Sequence, residues 1–241
     1  MTYRRFHFRH KETIVTILAE KKEQYELAVE AILRARREIE EMIRKDPYFL
    51  ITYEPYELEI EESREVVSRM IRASRVTGVG PMAAVAGTIA SVAVEAMMEA
   101  GEFALVDNGG DIAMYANQDI TIGIYTPVQL DIGFKINPGG FYSVCTSSGT
   151  VGHSVSLGFA DAVTVFSKDA SIADCFATKI GNMIGERDGK EEIQRTLESI
   201  WESSKDHIDG VIVLKNNIIG KIGKVPELRK VKLDADLITK G

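Results

Sequence analysis

Asp174 and Thr178 stand four residues apart in the stretch ADCFAT, residues 173–178. At helical spacing they lie one above the other on a single face. A carboxylate and a hydroxyl are hard oxygen donors of the kind Mg²⁺ takes, together with waters and phosphate oxygens. The competing reading has Asp174 capping or solvating a helix start and Thr178 bonding back to a carbonyl. Taken alone, the pair favours that second reading.

Two further stretches carry chemistry. In DNGGD, residues 107–111, Gly109 and Gly110 permit positive φ and a close approach of backbone or ligand. A plain hairpin turn explains the same residues, and nothing in their order brings Asp107 and Asp111 together around a cation. In TSSGTVGHS, residues 146–154, Ser148 and Gly149 sit among hydroxyls and glycines that can turn N–H groups toward a phosphate. His153, one of four histidines, follows as a candidate general base or polar contact. The strand–Ser–helix pattern of a hydrolase nucleophile is missing here, and a hydroxyl-rich loop with a satisfied histidine accounts for the same letters. Cys145 and Cys175 read as small buried hydrophobes, with Cys145 reactive if its thiolate is stabilised.

These candidates need elements to hold them. Residues 3–19 alternate and read as a strand pair broken near Lys11 and Glu12. Lys21–Lys45 and Glu61–Val76 have the charge and apolar spacing of amphipathic helices. Pro81 opens a helix of small residues that runs to about Ala100 and stops at Gly101. Strands are expected in FALVDNGGDIAMYA, DITIGIY, VQLDIGFKI, FYSVCTS and DAVTVFS. The stretch from Ala170 is helical, with Ile172, Phe176, Ile180 and Met183 on one stripe. Glu191–Ser203 is a further helix, and GVIVLKNNIIGKIG a hairpin turning at Asn216 and Asn217. The polar tail after Pro226 reads as loosely held. The expectation is one domain over residues 1–241.

Composition narrows the function classes. A net charge of −7 argues against nucleic acid as a partner. Two cysteines form neither a disulfide framework nor a zinc spacing, and they suit a cytoplasmic protein. The uncharged run Val76–Val94 is built from Ala, Gly, Ser, Thr and Val, weak for a membrane span, and reads as a buried helix. Unpaired strand edges and that small-residue helix suggest a homodimer.

In this order the pieces resemble the ApbE-like superfamily, whose best-known members are FAD:protein FMN transferases. The resemblance is to a short branch found in archaea and anaerobic bacteria. It rests on GVGPMAAVAG, VDNGGDI, TSSG, His153 and SIADCFAT, between Gly78 and Thr178. It implies an α+β ApbE-like fold, with mixed strands, flanking helices and a buried small-residue helix. It also implies Mg²⁺ held by Asp174 and Thr178, and a cleft for FAD or FMN lined by Gly109, Gly110, Ser148 and Gly149. His153 would project into that cleft as base or phosphate contact. The implied reaction moves FMN from FAD to a hydroxyl of an acceptor protein, with release of AMP. The chain departs from the transferases in three ways. No Asp-Pro-x-Thr-Gly element follows His153, no proline lies between Pro138 and Pro226, and GPMAAVAG lacks a lysine. The alternative is an accessory protein that binds a nucleotide or small anion without transfer, in the sulfide assimilation and homocysteine formation linked to that branch.

Overall fold

The structure is a computed structural model and describes residues 3–57, 64–125, 131–149, 158–231 and 239. The alternating start folds as expected. β1 (Arg4–His10) and β2 (Thr13–Ala19) pair antiparallel, with Lys11 at positive φ in the turn. α1 (Lys22–Lys45) buries Ala28, Ala31, Ile32, Ala35, Ile39 and Met42, one stripe at helical spacing. A short helix, α2 (Tyr48–Ile51), and then α3 (Glu65–Thr77) follow. Gly78 ends α3 in the left-handed conformation, at φ +79°, where an L side chain would be strained.

The small-residue helix does not begin directly at Pro81. Pro81–Ala84 form a tighter 3₁₀ turn, and α4 (Val85–Met97) continues from it. Among the described residues no single helix is long and apolar enough to cross a membrane; α3 and Pro81–Met97 meet at a bend of 110°. The uncharged run is therefore broken where Gly78 caps α3, and α4 is wedged among α1, α5 (Ala170–Met183), β3 (Ala104–Asn108) and β4 (Asp111–Ala116).

The remaining strands are β5 (Ile120–Ile124), β6 (Ile132–Ile136), β7 (Gly140–Ser147), β8 (Ala162–Ser167), β9 (Gly210–Lys215), β10 (Ile218–Gly223) and β11 (Glu227–Lys230). An eight-stranded antiparallel sheet runs β1-β2-β3-β4-β7-β8-β9-β10, and a three-stranded sheet runs β11-β6-β5. The pleat sends Val106 to a core under the helices and Leu105 to a second core that also holds Phe134 of the small sheet. With both faces covered, every residue of β8 and β9 is buried, which explains their apolar richness, and the polar Thr164, Ser167 and Lys215 find hydrogen-bond partners inside the protein. α6 (Lys190–Ser204) packs on β10.

Two expectations need correcting. Met183 is 42% exposed, so the α5 stripe ends at Ile180. The other side of α5 is buried as well, through Ala173, Asp174, Cys175 and Ala177, because α4 and the sheet enclose it. The tail after Pro226 also starts as a strand, β11, paired to β6.

Gly87 lets α4 and α5 approach this closely. A Cβ there would collide with the carbonyl of Ala170 and lie 3.0 Å from the Asp174 Cβ. In an exposed helix Gly→Ala gains about 0.5–1 kcal/mol. Gly87→Ala is expected to lose about 1–3 kcal/mol through overpacking, read as a lower urea midpoint at unchanged slope. A gain in stability would show that the two helices have room between them.

Candidate functional site

Strand pairing gathers several loop tips at one end of the large sheet. Val15 near the start of β2 faces Asn108 at the end of β3, and Asp111 at the start of β4 faces Cys145 near the end of β7. The turn at Gly109 and Gly110, both at positive φ, therefore sits beside Thr146, whose carbonyl lies 3.7 Å from the Cβ position of Gly110. Among the described residues nothing lies within 4 Å of the Cβ position of Gly109. Ser148 and Gly149 continue β7 past this turn. Gly149 N–H donates to the Ala160 carbonyl at 3.0 Å, and its Cβ position is blocked by Gly158, which is blocked in turn by Gly181 at the end of α5. Gly109, Gly110, Ser148 and Gly149 thus share one end of the sheet. His153 lies outside the described residues.

Asp174 reaches this end from α5, and its role differs from a cap of its own helix. Asp169 caps α5, accepting from Ile172 N–H at 3.1 Å. Asp174 Oδ2 instead accepts from Gly87 N–H at 2.8 Å, with Ala86 N–H adding to it, so it caps α4 from across the interface. α4 has no side-chain cap of its own. Free N–H groups and the positive end of a helix dipole make this a favourable place for a carboxylate. Asn108 holds the same helix end by donating to the Ala86 carbonyl at 3.1 Å.

Burial dominates the titration of this group. It pushes the Asp174 carboxyl up to about 7, against the pull of the Gly87 and Ala86 amides. Asp111 lies close enough for the two charges to repel. Burial first, then Asp174 and Asp107, hold its carboxyl well above the usual range, although Oδ1 accepts from Thr146 N–H at 3.2 Å. The Cys145 thiol is buried beside both acids and is pushed up by burial and by their charge. Both effects disfavour the thiolate that a reactive cysteine needs. Cys175 is buried and raised in the same way. Thr178 is half-buried one turn beyond Asp174 on α5. Thr77 and Thr88 bond back to the Ala73 and Ala84 carbonyls; among the described residues no such bond engages Thr178.

A groove of about 610 Å³ opens beside this cluster, with Ala86 and Asn108 in its wall. Its floor is apolar: Ile39, Ile43, Met82, Val85 and Ile89. Its rim is charged. Arg36 pairs with Glu12 at 2.6 Å and Glu40 at 3.3 Å, and Lys11 pairs with Glu40 at 2.7 Å. The groove and the amides of Ala86 and Gly87 were not legible as site features. The helical stripe that contains Ile39 predicts burial and says nothing of a neighbouring cleft.

The chain matches the family described as AbpE bacteria over residues 1–215. It is 48% identical over 239 residues to a UPF0280 protein of Archaeoglobus fulgidus, covering 99% of this chain and 100% of that one. It is 45% identical to a UPF0280 protein of Methanococcoides burtonii, covering 98% and 99%. Among solved structures, a mutant of the flavin transferase ApbE from Vibrio cholerae superposes with a TM-score of 0.60 at 16% identity, over 92% of this chain and 97% of that one. The ApbE protein of Thermotoga maritima superposes at 0.58 and 13% identity, over 100% of both chains. The fold is the α+β ApbE-like fold.

The raised acids predict a pH dependence of stability. Their folded values exceed their unfolded ones, so the protonated form stabilises the fold. For Asp174 that contribution is complete below about pH 4 and is lost as the pH rises through about 7. In the presence of a chelator, Asp174→Asn should lose less stability than the parent between pH 5 and pH 8, by about 1–3 kcal/mol. Parallel denaturation curves at the two pH values check this. An identical pH response in both proteins would mean that Asp174 does not titrate in that window.

Proposed function

Because the chain belongs to the AbpE bacteria family, we propose that it is a Mg²⁺-assisted flavin-nucleotide enzyme that passes FMN from FAD to a hydroxyl of an acceptor protein. The observation that carries this reading is the buried Asp111 and Asp174 pair at the amide end of α4, beside a groove of nucleotide size. The donors suit Mg²⁺. Asp174, Asp111 and Thr178 offer hard oxygens, and the neighbouring thiol stays protonated. Among the described residues no three His, Cys, Asp or Glu side chains form a ready-made metal cage. This agrees with an ion that takes one or two carboxylates and fills its shell with waters and phosphate oxygens. When bound, Mg²⁺ supplies polarisation of the pyrophosphate and neutralises developing charge.

The chain's own residues would divide the remaining work. The Ala86 and Gly87 amides hold Asp174 in place, and Asn108 fixes the helix end. The apolar floor of the groove takes a ring system, while Lys11 and Arg36 at its rim face phosphate charge. Gly109, Gly110, Ser148 and Gly149 line the nucleotide on the sheet side, and His153 is its base or phosphate contact. The same reading makes the protein a cytoplasmic homodimer; both cysteines are free thiols, and Leu50, Ile51 and Tyr53 form an exposed apolar strip.

FAD titrated into the purified protein, with and without Mg²⁺, tests the site. The parent should bind FAD at least about tenfold tighter with Mg²⁺, and Asp174→Ala should lose that gain. Mg²⁺-independent binding in both proteins would remove the metal from the reading. Intact mass of a threonine-bearing acceptor then tests transfer, which adds the mass of an FMN ester. FAD bound with no acceptor modified favours the non-transferring accessory protein.

A further inference from the structure

Lys215 ends β9 and is only 4% exposed. Burying an ammonium is costly unless hydrogen bonds replace its water. Three backbone carbonyls do so here. Lys215 Nζ donates to the Gly185 carbonyl at 2.7 Å and to the Glu186 and Asp188 carbonyls at 2.8 Å. All three carbonyls belong to the connection between α5 and α6. They lie just past the C-terminal end of α5, where a helix dipole favours positive charge. The connection is also closed on itself, since Gly185 N–H donates to Asp188 Oδ2 at 2.7 Å.

Three carbonyls converge on one nitrogen, and an ammonium has three protons, one for each. A side-chain amide has two, and a guanidinium spreads its donors in a plane. Lys215 thus does from within the chain what a bound monovalent cation does among carbonyls. What it grips is tied to the working end of the large sheet. The Ile184 carbonyl, one residue before the grip, accepts from Phe159 N–H at 3.0 Å. The Ala160 carbonyl, one residue further on, accepts from Gly149 N–H at 3.0 Å. Asp161 N–H then donates to the Leu214 carbonyl at 2.9 Å, beside Lys215, and closes the circuit. The backbones along this path touch: neither Gly149 against Gly158 nor Gly158 against Gly181 leaves room for a Cβ. A shift of the gripped segment therefore passes to Gly149.

We infer that Lys215 is a positioning residue for Ser148 and Gly149 at the end of β7: its ammonium locks residues 185–188 against the end of α5, and that lock holds Phe159, Ala160 and Gly149 in place. That Gly149 lines a nucleotide rests on the flavin reading above; the lock itself does not. Lys215 is no part of the groove wall, and it acts through the backbone that it grips.

The test removes the ammonium and gives it back. Lys215→Ala opens a space that n-propylammonium can enter with three donors, whereas tetramethylammonium carries the charge with none. In amide hydrogen exchange resolved by NMR, Phe159 and Gly149 should exchange at least about tenfold faster in Lys215→Ala than in the parent, relative to the amides of β8. Propylammonium should reverse this and tetramethylammonium should not. Lys215→Gln keeps two donors and should show the same loss in smaller measure; it carries the test if Lys215→Ala does not fold. FAD titration in Mg²⁺ reads the consequence: affinity should fall at least about tenfold in Lys215→Ala and recover with propylammonium. Exchange that stays parental at Phe159 and Gly149, or rises evenly with β8, overturns the lock. Rescue by tetramethylammonium, or by neither cation, counts against a grip made by three donors. Faster local exchange with parental FAD affinity overturns the positioning role. A parent that binds no FAD removes the flavin reading instead, and the lock is then decided by exchange alone.

Discussion

One buried carboxylate organises the working end of this molecule. Asp174 gives its charge to the amides that start α4, and so joins two helices far apart in the chain. The contact requires a glycine at position 87, because any side chain there meets the backbone of α5. It also brings a negative charge into a site that already holds Asp111 from the sheet. Two buried acids at close range cannot both ionise cheaply. Burial and that repulsion hold both carboxyls above the ordinary carboxylate range.

The sheet makes that arrangement possible. Both faces are covered, by helices on one side and by the small sheet on the other. The central strands β8 and β9 are buried throughout, and their polar side chains are held inside, Lys215 by donating to the carbonyls of Gly185, Glu186 and Asp188. Their rigidity fixes the relative positions of the β1–β2 turn, the Gly109 and Gly110 turn and the end of β7. The same pleat separates two neighbouring acids at the tip of β3 and β4. Asp111 shares the helix side with Ala113, where Asp174 and Cys145 meet it, and Asp107 shares the other side with Leu105, where Thr16 and Thr239 meet it. The Gly-Gly turn between them touches both sides, because Gly110 N–H bonds Asp107 while its neighbour Asp111 faces Asp174.

Much of the fold was legible in the chain itself. Alternation marked β1 and β2, apolar spacing marked α1 and α6, and the letters NGG and NN marked two hairpin turns, because these signals are local and each turns on the geometry of a few consecutive residues. The spacing of Asp174 and Thr178 likewise placed both on one helical face. What that face meets was not local. The cap on α4 comes from α5, about 87 positions away in the chain, and the groove is walled by segments from α1, the β1–β2 turn and α4. Thr239, in a tail that reads as polar and loose, bonds residues 223 and 132 positions away. Sequence by itself determined most of the helices and strands, but neither the 3₁₀ turn at Pro81–Ala84 nor the pairing of β11 to β6, which depends on a distant partner strand. Only the tertiary structure decided which carboxylate loses its water, because desolvation and charge repulsion depend on what surrounds a group in space, and no run of neighbouring letters contains that.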